Sequence, residues 1–314
     1  MANSSRPTIH ILGTGAIGLL CAMDLKKQGF RTHLLTRSGK KYTKNQTVTL
    51  KHKKKFSTES FELQASDSLK SPIDILIVCV KAHQLISAIA PCVSHITNRT
   101  VILLLQNGMG GDISLLNKYP SILKSQIFHG VNTHAAIKTV PFMVENTGQG
   151  SCEIGSVEAP QGHDAIALKK RCCLLLESTF FNRWNKDINT LLWQKLIINA
   201  AINPVSALLQ CKNGELLEED IWDIVIKIIE ECCIITQRNQ IQLSFDRMIN
   251  KVKQVCISTQ NNYSSMAQDI LYSRMTEIDF INGYLLRNSQ NCSVNFLYNQ
   301  IVVKLITSRQ KQFS

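Results

Sequence analysis

No apolar run in this chain approaches the roughly 18 residues that a membrane-spanning helix needs, so no membrane span is expected. No Cys-x-x-Cys pair occurs among its 11 cysteines, although Cys172–Cys173 and Cys232–Cys233 are adjacent. An odd, scattered set with apolar neighbours argues against a zinc site or a disulfide framework. It favours buried free thiols in a reducing cytoplasm. Residues 1–7 are polar and lack an apolar signal core, so export is not expected. No internal repeat, low-complexity tract or long Pro/Gly linker is present. Acid is missing locally: no Asp or Glu falls between Leu25 and Thr58, a stretch dense in Lys and Arg.

Present instead is ample core material, with 44% hydrophobic and 18% charged residues in a chain of 314, long enough for two domains. The net charge of +12 is concentrated in the acid-free stretch and needs a local explanation before a nucleic-acid one. Lys51–Lys55 (KHKKK) reads as a hairpin tip between TVTL and FSTESFEL. No aromatic side chains interleave with it to stack bases, so a solvated turn is the expectation and no nucleic-acid partner is assigned.

The first half has the pattern of a nucleotide cradle. Thr8–Leu12 reads as a strand, GTGAIG follows at 13–18, Ala16–Gln28 has helical character, Gly29 suits a C-cap, and Thr32–Thr36 reads as a second strand. In that context Gly13 permits the tight turn, Gly15 lets the backbone approach a pyrophosphate, and Gly18 lets helix and strand pack closely. The helix N-terminus offers free N–H donors to phosphate. NAD-selective sites place a carboxylate at the end of the second strand. Here Thr36-Arg37-Ser38 stands there, with Lys40 and Lys41 behind. Arg37 can clamp a 2′-phosphate, so the expected cofactor is NADP(H).

Ile73–Val80 and Thr100–Leu105 are nearly continuous apolar runs, as expected of parallel strands buried on both faces, and Ile127–Thr133 reads as a third such strand. Ligands of such sheets lie beyond the carboxyl ends of the strands. Lys81 and Asn107 stand at those ends and become candidate contacts, with a snorkelling lysine as the bland alternative for Lys81. His134 reads as structural.

After Gly150 the pattern turns helical. Ala165–Glu177 reads as a helix and Phe180–Trp184 as a last strand. From about Asp187 onward helices are expected at Asn189–Ala201, Glu218–Arg238, Ser244–Thr259, Ser264–Tyr272, Thr276–Arg287 and Asn295–Ser308. This predicts an N-terminal domain over 1–186 and a closely hinged helical domain over 187–314. Lys195, Asn199 and Asn203 recur every four residues on one otherwise oily helix, drifting about 40° per step. Asn262, Ser265 and Asp269 are spaced as one helical face, Glu277 heads TEIDFINGYLL, and Asn213 precedes Gly214 in a loop. Singly these fit a turn, a cap and a first-turn carboxylate, and Pro204 gives Asn203 a helix-end role. Together they suit a cleft for a small, polar, anionic substrate.

The stretches GTGAIG (13–18), VKAHQ (80–84), QNGMG (106–110), NTHAA (132–136), WQKLIINAAINP (193–204), CKNGEL (211–216), NYSSMAQDI (262–270) and TEIDFINGYLL (276–286) resemble the ketopantoate reductase (2-dehydropantoate 2-reductase) family. The likeness runs from about residue 8 to residue 305. It implies an α/β N-terminal Rossmann-type domain plus an all-α C-terminal domain like that of 6-phosphogluconate dehydrogenase. It also implies NADPH-dependent reduction of 2-dehydropantoate to (R)-pantoate, on the route to pantothenate and coenzyme A, by a monomer or homodimer; the alternatives are a reductase of another small 2-keto acid in the same fold and a non-catalytic NADPH-binding sensor. The family's catalytic lysine corresponds to Lys195 and its essential carboxylate to Glu277. Its substrate-holding amides correspond to Asn107, Asn199, Asn203, Asn213 and Asn262, and its serine to Ser265. On the cofactor side the resemblance implies Gly13, Thr14, Gly15, Ala16, Ile17, Gly18, Arg37, Lys81, Gln84, Asn107, Ala136 and Glu277. Ser293 stands where many relatives have a proline two residues before the asparagine, here Asn295, which puts the entry to the last helix in doubt.

Overall fold

The computed structural model describes residues 6–36, 44–289 and 294–313. Arg37, Ser38, Lys40, Lys41 and Ser293 therefore lie outside the described residues. The chain divides into two compact units, one of Met1–Gln106 with Gly111–Asn189, the other of Asn107–Gly110 with Thr190–Ser314.

In the first unit, eleven described strands form one sheet: β1 (Ile9–Leu12), β2 (Thr32–Thr36), β3 (Asn45–His52), β4 (Lys55–Ala65), β5 (Ile75–Val78), β6 (Val101–Leu104), β7 (Ile127–Asn132), β8 (Ala135–Val140), β9 (Met143–Gly148), β10 (Cys152–Gly155) and β11 (Phe181–Trp184). Their spatial order is β11-β10-β7-β6-β5-β1-β2-β4-β3-β9-β8. The six neighbours from β4 to β7 are parallel and follow the doubly wound dinucleotide order, with β4 as the third strand. Helices α1 (Ala16–Lys27), α2 (Leu85–Ile89), α3 (Gly111–Lys118) and α4 (Gly162–Cys173) complete the unit.

The apolar runs are explained by burial on both faces. Ile75 and Ile77 of β5, with Val101 and Leu103 of β6, pack into one cluster with Leu19 and Met23 of α1 and Leu168 of α4. Leu76, Val78, Ile102 and Leu104 pack into a second cluster with Leu85 and Ile89 of α2 and Leu115 of α3. Alternate residues serve opposite faces, so neither face tolerates a polar residue. Gly29 follows α1 at φ +79°, where its N–H donates to Lys26 O at 3.0 Å and that of Phe30 to Leu25 O at 3.1 Å. That pair of bonds is a Schellman stop, as the sequence suggests. The hairpin reading of the basic tip also holds, with β3 and β4 turning at Lys53 and Lys54. Strands β8, β9 and β10 are additional to the sequence expectation.

The second unit contains α5 (Ile188–Leu209, of which all but Ile188 and Asn189 belong to this unit), α6 (Glu219–Arg238), α7 (Phe245–Ser258), α8 (Ser265–Leu271), α9 (Asn282–Arg287) and α10 (Leu297–Gln310). One core joins them, drawing Leu196 and Ala200 from α5, Ile228 and Cys232 from α6, Met248 and Val252 from α7, Ile270 from α8, Leu285 from α9 and Ile306 from α10. Ser264 caps α8 by accepting from the Ala267 N–H at 3.0 Å.

Three expectations are corrected here. Helix α5 does not end before Pro204 but continues through it to Leu209. A helix-interior proline removes a hydrogen bond and costs about 3 kcal/mol where nothing compensates. The stretch 276–287 is not one helix: a 3-10 turn at Ile278–Phe280 precedes α9, with Ile281 at φ −106°, ψ −95° between them. Asn262, Ser265 and Asp269 do not share a helical face, because α8 begins at Ser265 and Asn262 lies in the preceding loop. Among the described residues no helix is long and apolar enough to cross a membrane.

Candidate active site

The glycine turn of the first unit separates what the protein itself requires from what a ligand requires. Gly13 adopts φ +116°, and a Cβ there would sit 2.8 Å from Val80 N, so only glycine fits. A Cβ on Gly18 would lie 2.0 Å from Gly13 O, which sets the close packing of α1 on the turn. Around Gly15 a Cβ would meet nothing within 4 Å. No described neighbour demands glycine at that position, and the backbone stays open to an approaching group. Gly15 is the N-cap of α1, no side chain caps this end, and the first turn has no acidic residue. Its N–H donors therefore lack side-chain acceptors, as a site for pyrophosphate needs. Thr14, Ala16 and Ile17 complete this turn.

Around it stand the other cofactor candidates. Lys81 is half-buried just beyond β5 and precedes a 3-10 turn, Ala82–Gln84, whose Gln84 N–H donates to Lys81 O at 2.8 Å. Ala136 is half-buried on β8. Lys138, also on β8, donates to Thr14 O at 3.0 Å. Sequence reasoning missed Lys138, because β8 carries no strand signal. It also missed Gln106, whose Nε2 donates to Val80 O at 3.0 Å and ties the exits of β5 and β6 together. His134 is structural: Nδ1 accepts from Gly150 N–H at 3.3 Å, so Nε2 carries the proton it donates to Phe180 O at 3.1 Å.

The remaining candidates belong to the second unit. Lys195 and Asn199 are half-buried on α5, and Asn203, one turn on, is 6% exposed. Asn107 belongs to the same unit although it follows β6 in sequence. Its Nδ2 donates to Oε2 of Glu277 at 3.3 Å, and Glu277 is itself only 8% exposed. The strand-end segment is fastened along its length: Met109 N–H donates to Phe280 O at 2.9 Å, and Gly108, at φ +78°, would place a Cβ 2.3 Å from that same oxygen. Gly108 thus lets this backbone lie against the turn that follows Glu277.

Asn213 opens a 3-10 turn, Asn213–Leu217, and is buried. Its Nδ2 donates to Thr259 Oγ1 at 2.8 Å and its N–H to Asn262 O at 2.9 Å. Oδ1 of Asn213 is buried without a hydrogen-bond partner among the described residues. Asn262 and Ser265 are both exposed. Asp269 is buried and paired with Arg274 at 3.2 Å, which gives it a structural role. The ten described cysteines are free, and burial pushes the thiols of Cys21, Cys172 and Cys232 well up, so they stay protonated. Among the described residues no group of three or more His, Cys, Asp or Glu gathers as a metal site.

The chain matches known proteins over nearly its whole length. The family described as ketopantoate reductase PanE/ApbA matches residues 9–159, and its C-terminal counterpart matches 187–310. The chain is 31% identical to a 2-dehydropantoate 2-reductase of Vibrio cholerae, covering 98% of this chain and 99% of that protein. It is 32% identical to the 2-dehydropantoate 2-reductase of Bacillus subtilis, covering 93% and 96%. A solved D-mandelate dehydrogenase with NADH and anilino(oxo)acetate superposes with TM-score 0.85 at 22% identity over 98% of this chain and 99% of its own, a likeness of fold. The chain belongs to the ketopantoate reductase family.

Proposed function

We propose that this protein reduces 2-dehydropantoate to (R)-pantoate with NADPH, the step that supplies pantoate for pantothenate and coenzyme A. The observation that carries the reading is the Asn107–Glu277 contact, which sets a buried carboxylate in the same unit as the Lys195, Asn199 and Asn203 helix, in a chain of this family. NADPH supplies the hydride. The glycine turn at 13–18 holds its pyrophosphate, and Lys81, Gln84 and Ala136 serve its remaining contacts. Arg37 reads the 2′-phosphate.

Hydride delivery to a ketone carbon leaves negative charge on the oxygen, which must be stabilised and protonated. Lys195, as an ammonium, meets that charge and gives up the proton. Glu277 contributes the opposite charge to this set, and Asn107 orients the carboxylate by its hydrogen bond. Asn199 and Asn203 orient the substrate without adding charge, while Asn213, Asn262 and Ser265 hold its polar and carboxylate ends. Asn107 and Glu277 also belong to the cofactor contacts. We place the enzyme in the cytoplasm, consistent with its free thiols, as a monomer or homodimer with a small-molecule substrate and no nucleic-acid partner.

A panel assay tests this reading. NADPH oxidation is measured with 2-dehydropantoate and with other small 2-keto acids. The expected result is the highest kcat/KM for 2-dehydropantoate. A higher value for another 2-keto acid would reassign the substrate within the same chemistry. Arg37→Ala is expected to weaken NADPH far more than NADH, and equal weakening would remove Arg37 from phosphate recognition.

A further inference from the structure

Pro204 lacks an N–H, so the carbonyl of Ala200, four residues earlier, loses its helical donor. In α5 this carbonyl is not left bare. Asn282 Nδ2 donates to Ala200 O at 3.0 Å, from the first residue of α9 and 82 positions away. The same amide nitrogen donates to Asn299 Oδ1 at 3.0 Å. Asn299 in turn donates through Nδ2 to Glu231 Oε2 at 2.7 Å, and its backbone N–H meets the same oxygen at 2.9 Å. Glu231 Oε1 accepts from Tyr298 N–H at 2.9 Å. Asn282 and Asn299 are both 0% exposed.

The direction of this chain is dictated by chemistry. A carboxylate only accepts, so Asn299 must turn its amide nitrogen to Glu231 and its oxygen to Asn282. Asn282 must then turn its nitrogen toward two oxygens, Asn299 Oδ1 and Ala200 O. The consequence is a buried Asn282 Oδ1 with no hydrogen-bond partner among the described residues. An unsatisfied buried oxygen is costly and rare. Its retention means that the two donations on the other side of the amide matter more.

Ala200 lies between the turns that carry Lys195 and Asn199 and the turn that carries Asn203. The bond lost to Pro204 is one of those that hold these turns in phase. Asn282 is also five residues from Glu277, in the same short segment. We propose that Asn282 is a positioning residue for the reduction: it replaces the hydrogen bond that Pro204 removes, and so keeps Lys195, Asn199 and Asn203 in fixed register with one another and with the Glu277 segment. The proposal rests on the reductase reading above.

The test is a double-mutant cycle of Asn282→Ala with Pro204→Ala, read three ways on the full chain: kcat with 2-dehydropantoate, NADPH affinity by nucleotide fluorescence, and backbone hydrogen exchange across α5. Asn282→Ala is expected to lower kcat by on the order of 10²-fold, the usual consequence of a misplacement near 1 Å. NADPH affinity falls far less than kcat, and exchange rises around residues 199–207. Pro204→Ala returns an N–H to the Ala200 carbonyl. The loss caused by Asn282→Ala in the Pro204→Ala background is therefore expected to be at least about tenfold smaller, and the extra exchange to disappear. A purely structural role lowers the melting temperature while leaving kcat well below melting, and the exchange of α5, as in the wild type; that result overturns the proposal. Equal kcat losses in both backgrounds overturn it as well. An inactive wild type would refute the substrate reading instead, and the exchange arm still decides whether Asn282 fixes α5.

Discussion

Asn107 Nδ2 donates to Glu277 Oε2 at 3.3 Å, joining residues that stand 170 positions apart in the chain. Glu277 is almost wholly buried, so losing that contact leaves a carboxylate with fewer hydrogen bonds in a place that water reaches poorly. Two changes separate its charge from its geometry. Glu277→Gln keeps the shape and removes the charge; Asn107→Ala keeps the charge and removes the donor. Each is expected to lower kcat, the first by about 10²-fold as for a lost charged group in the transition state. Their effects should be non-additive by about 0.5–3 kcal/mol in the double variant, as for residues in contact. Strict additivity in steady-state rates would show that Asn107 does not act through Glu277.

The glycine turn gives a paired expectation. Gly18→Ala forces a Cβ to within 2.0 Å of a backbone oxygen, so it should destabilise the protein by about 1–3 kcal/mol through overpacking, read as a lower midpoint in urea unfolding. Gly15→Ala places its Cβ in open space and should leave that midpoint nearly unchanged while NADPH binding weakens. Intact NADPH affinity in Gly15→Ala would mean that no phosphate approaches that backbone.

His10 supplies a pH dependence. Its ring stacks on His33 with centroids 5.3 Å apart, and its side chain is buried on β1. Burial, reinforced by the nearby His33, pushes its pKa down to about 4 from 6.5. Burial also lowers the pKa of His33, against the opposing pull of Glu62. Between about 4 and 6.5 the unfolded chain holds the His10 proton and the folded chain does not, so unfolding is favoured as pH falls through this window. Stability from His10 is fully present above 6.5 and is lost by about pH 4, a change of about 3 kcal/mol at 1.36 kcal/mol per unit. Denaturant midpoints between pH 7 and pH 4 should fall in the wild type and fall less in His10→Leu. Identical slopes would place the acid sensitivity elsewhere.

Much of this was legible in the sequence because its causes are local. The turn at Gly13–Gly18 and the two-sided burial of β5 and β6 both leave short-range signatures, in glycine spacing and in unbroken apolar runs. The Lys195, Asn199 and Asn203 stripe is likewise a property of one helix. What was not legible depends on distant partners. Strand β8 is largely exposed and its residues do not alternate, so no local periodicity marks it as the strand that pairs with β9. The continuation of α5 through Pro204 is supported by an amide 82 residues downstream, while local reasoning stops a helix at proline. Sequence places Asn107 at the end of a strand, yet its side chain bonds Glu277 and it groups with the helical unit. The spacing of Asn262, Ser265 and Asp269 suggests one helical face, but Ser264, as N-cap, starts α8 only after Asn262.

The most direct test of the central claim is the rate of NADPH oxidation with 2-dehydropantoate by the wild type and by Lys195→Ala, with nucleotide binding checked in both. Removing a charged donor from the transition state costs about 3–4 kcal/mol, so the variant should lose ~10²–10³ in kcat while NADPH binds as before. Turnover of Lys195→Ala at the wild-type rate would contradict the assignment of Lys195 as the proton donor.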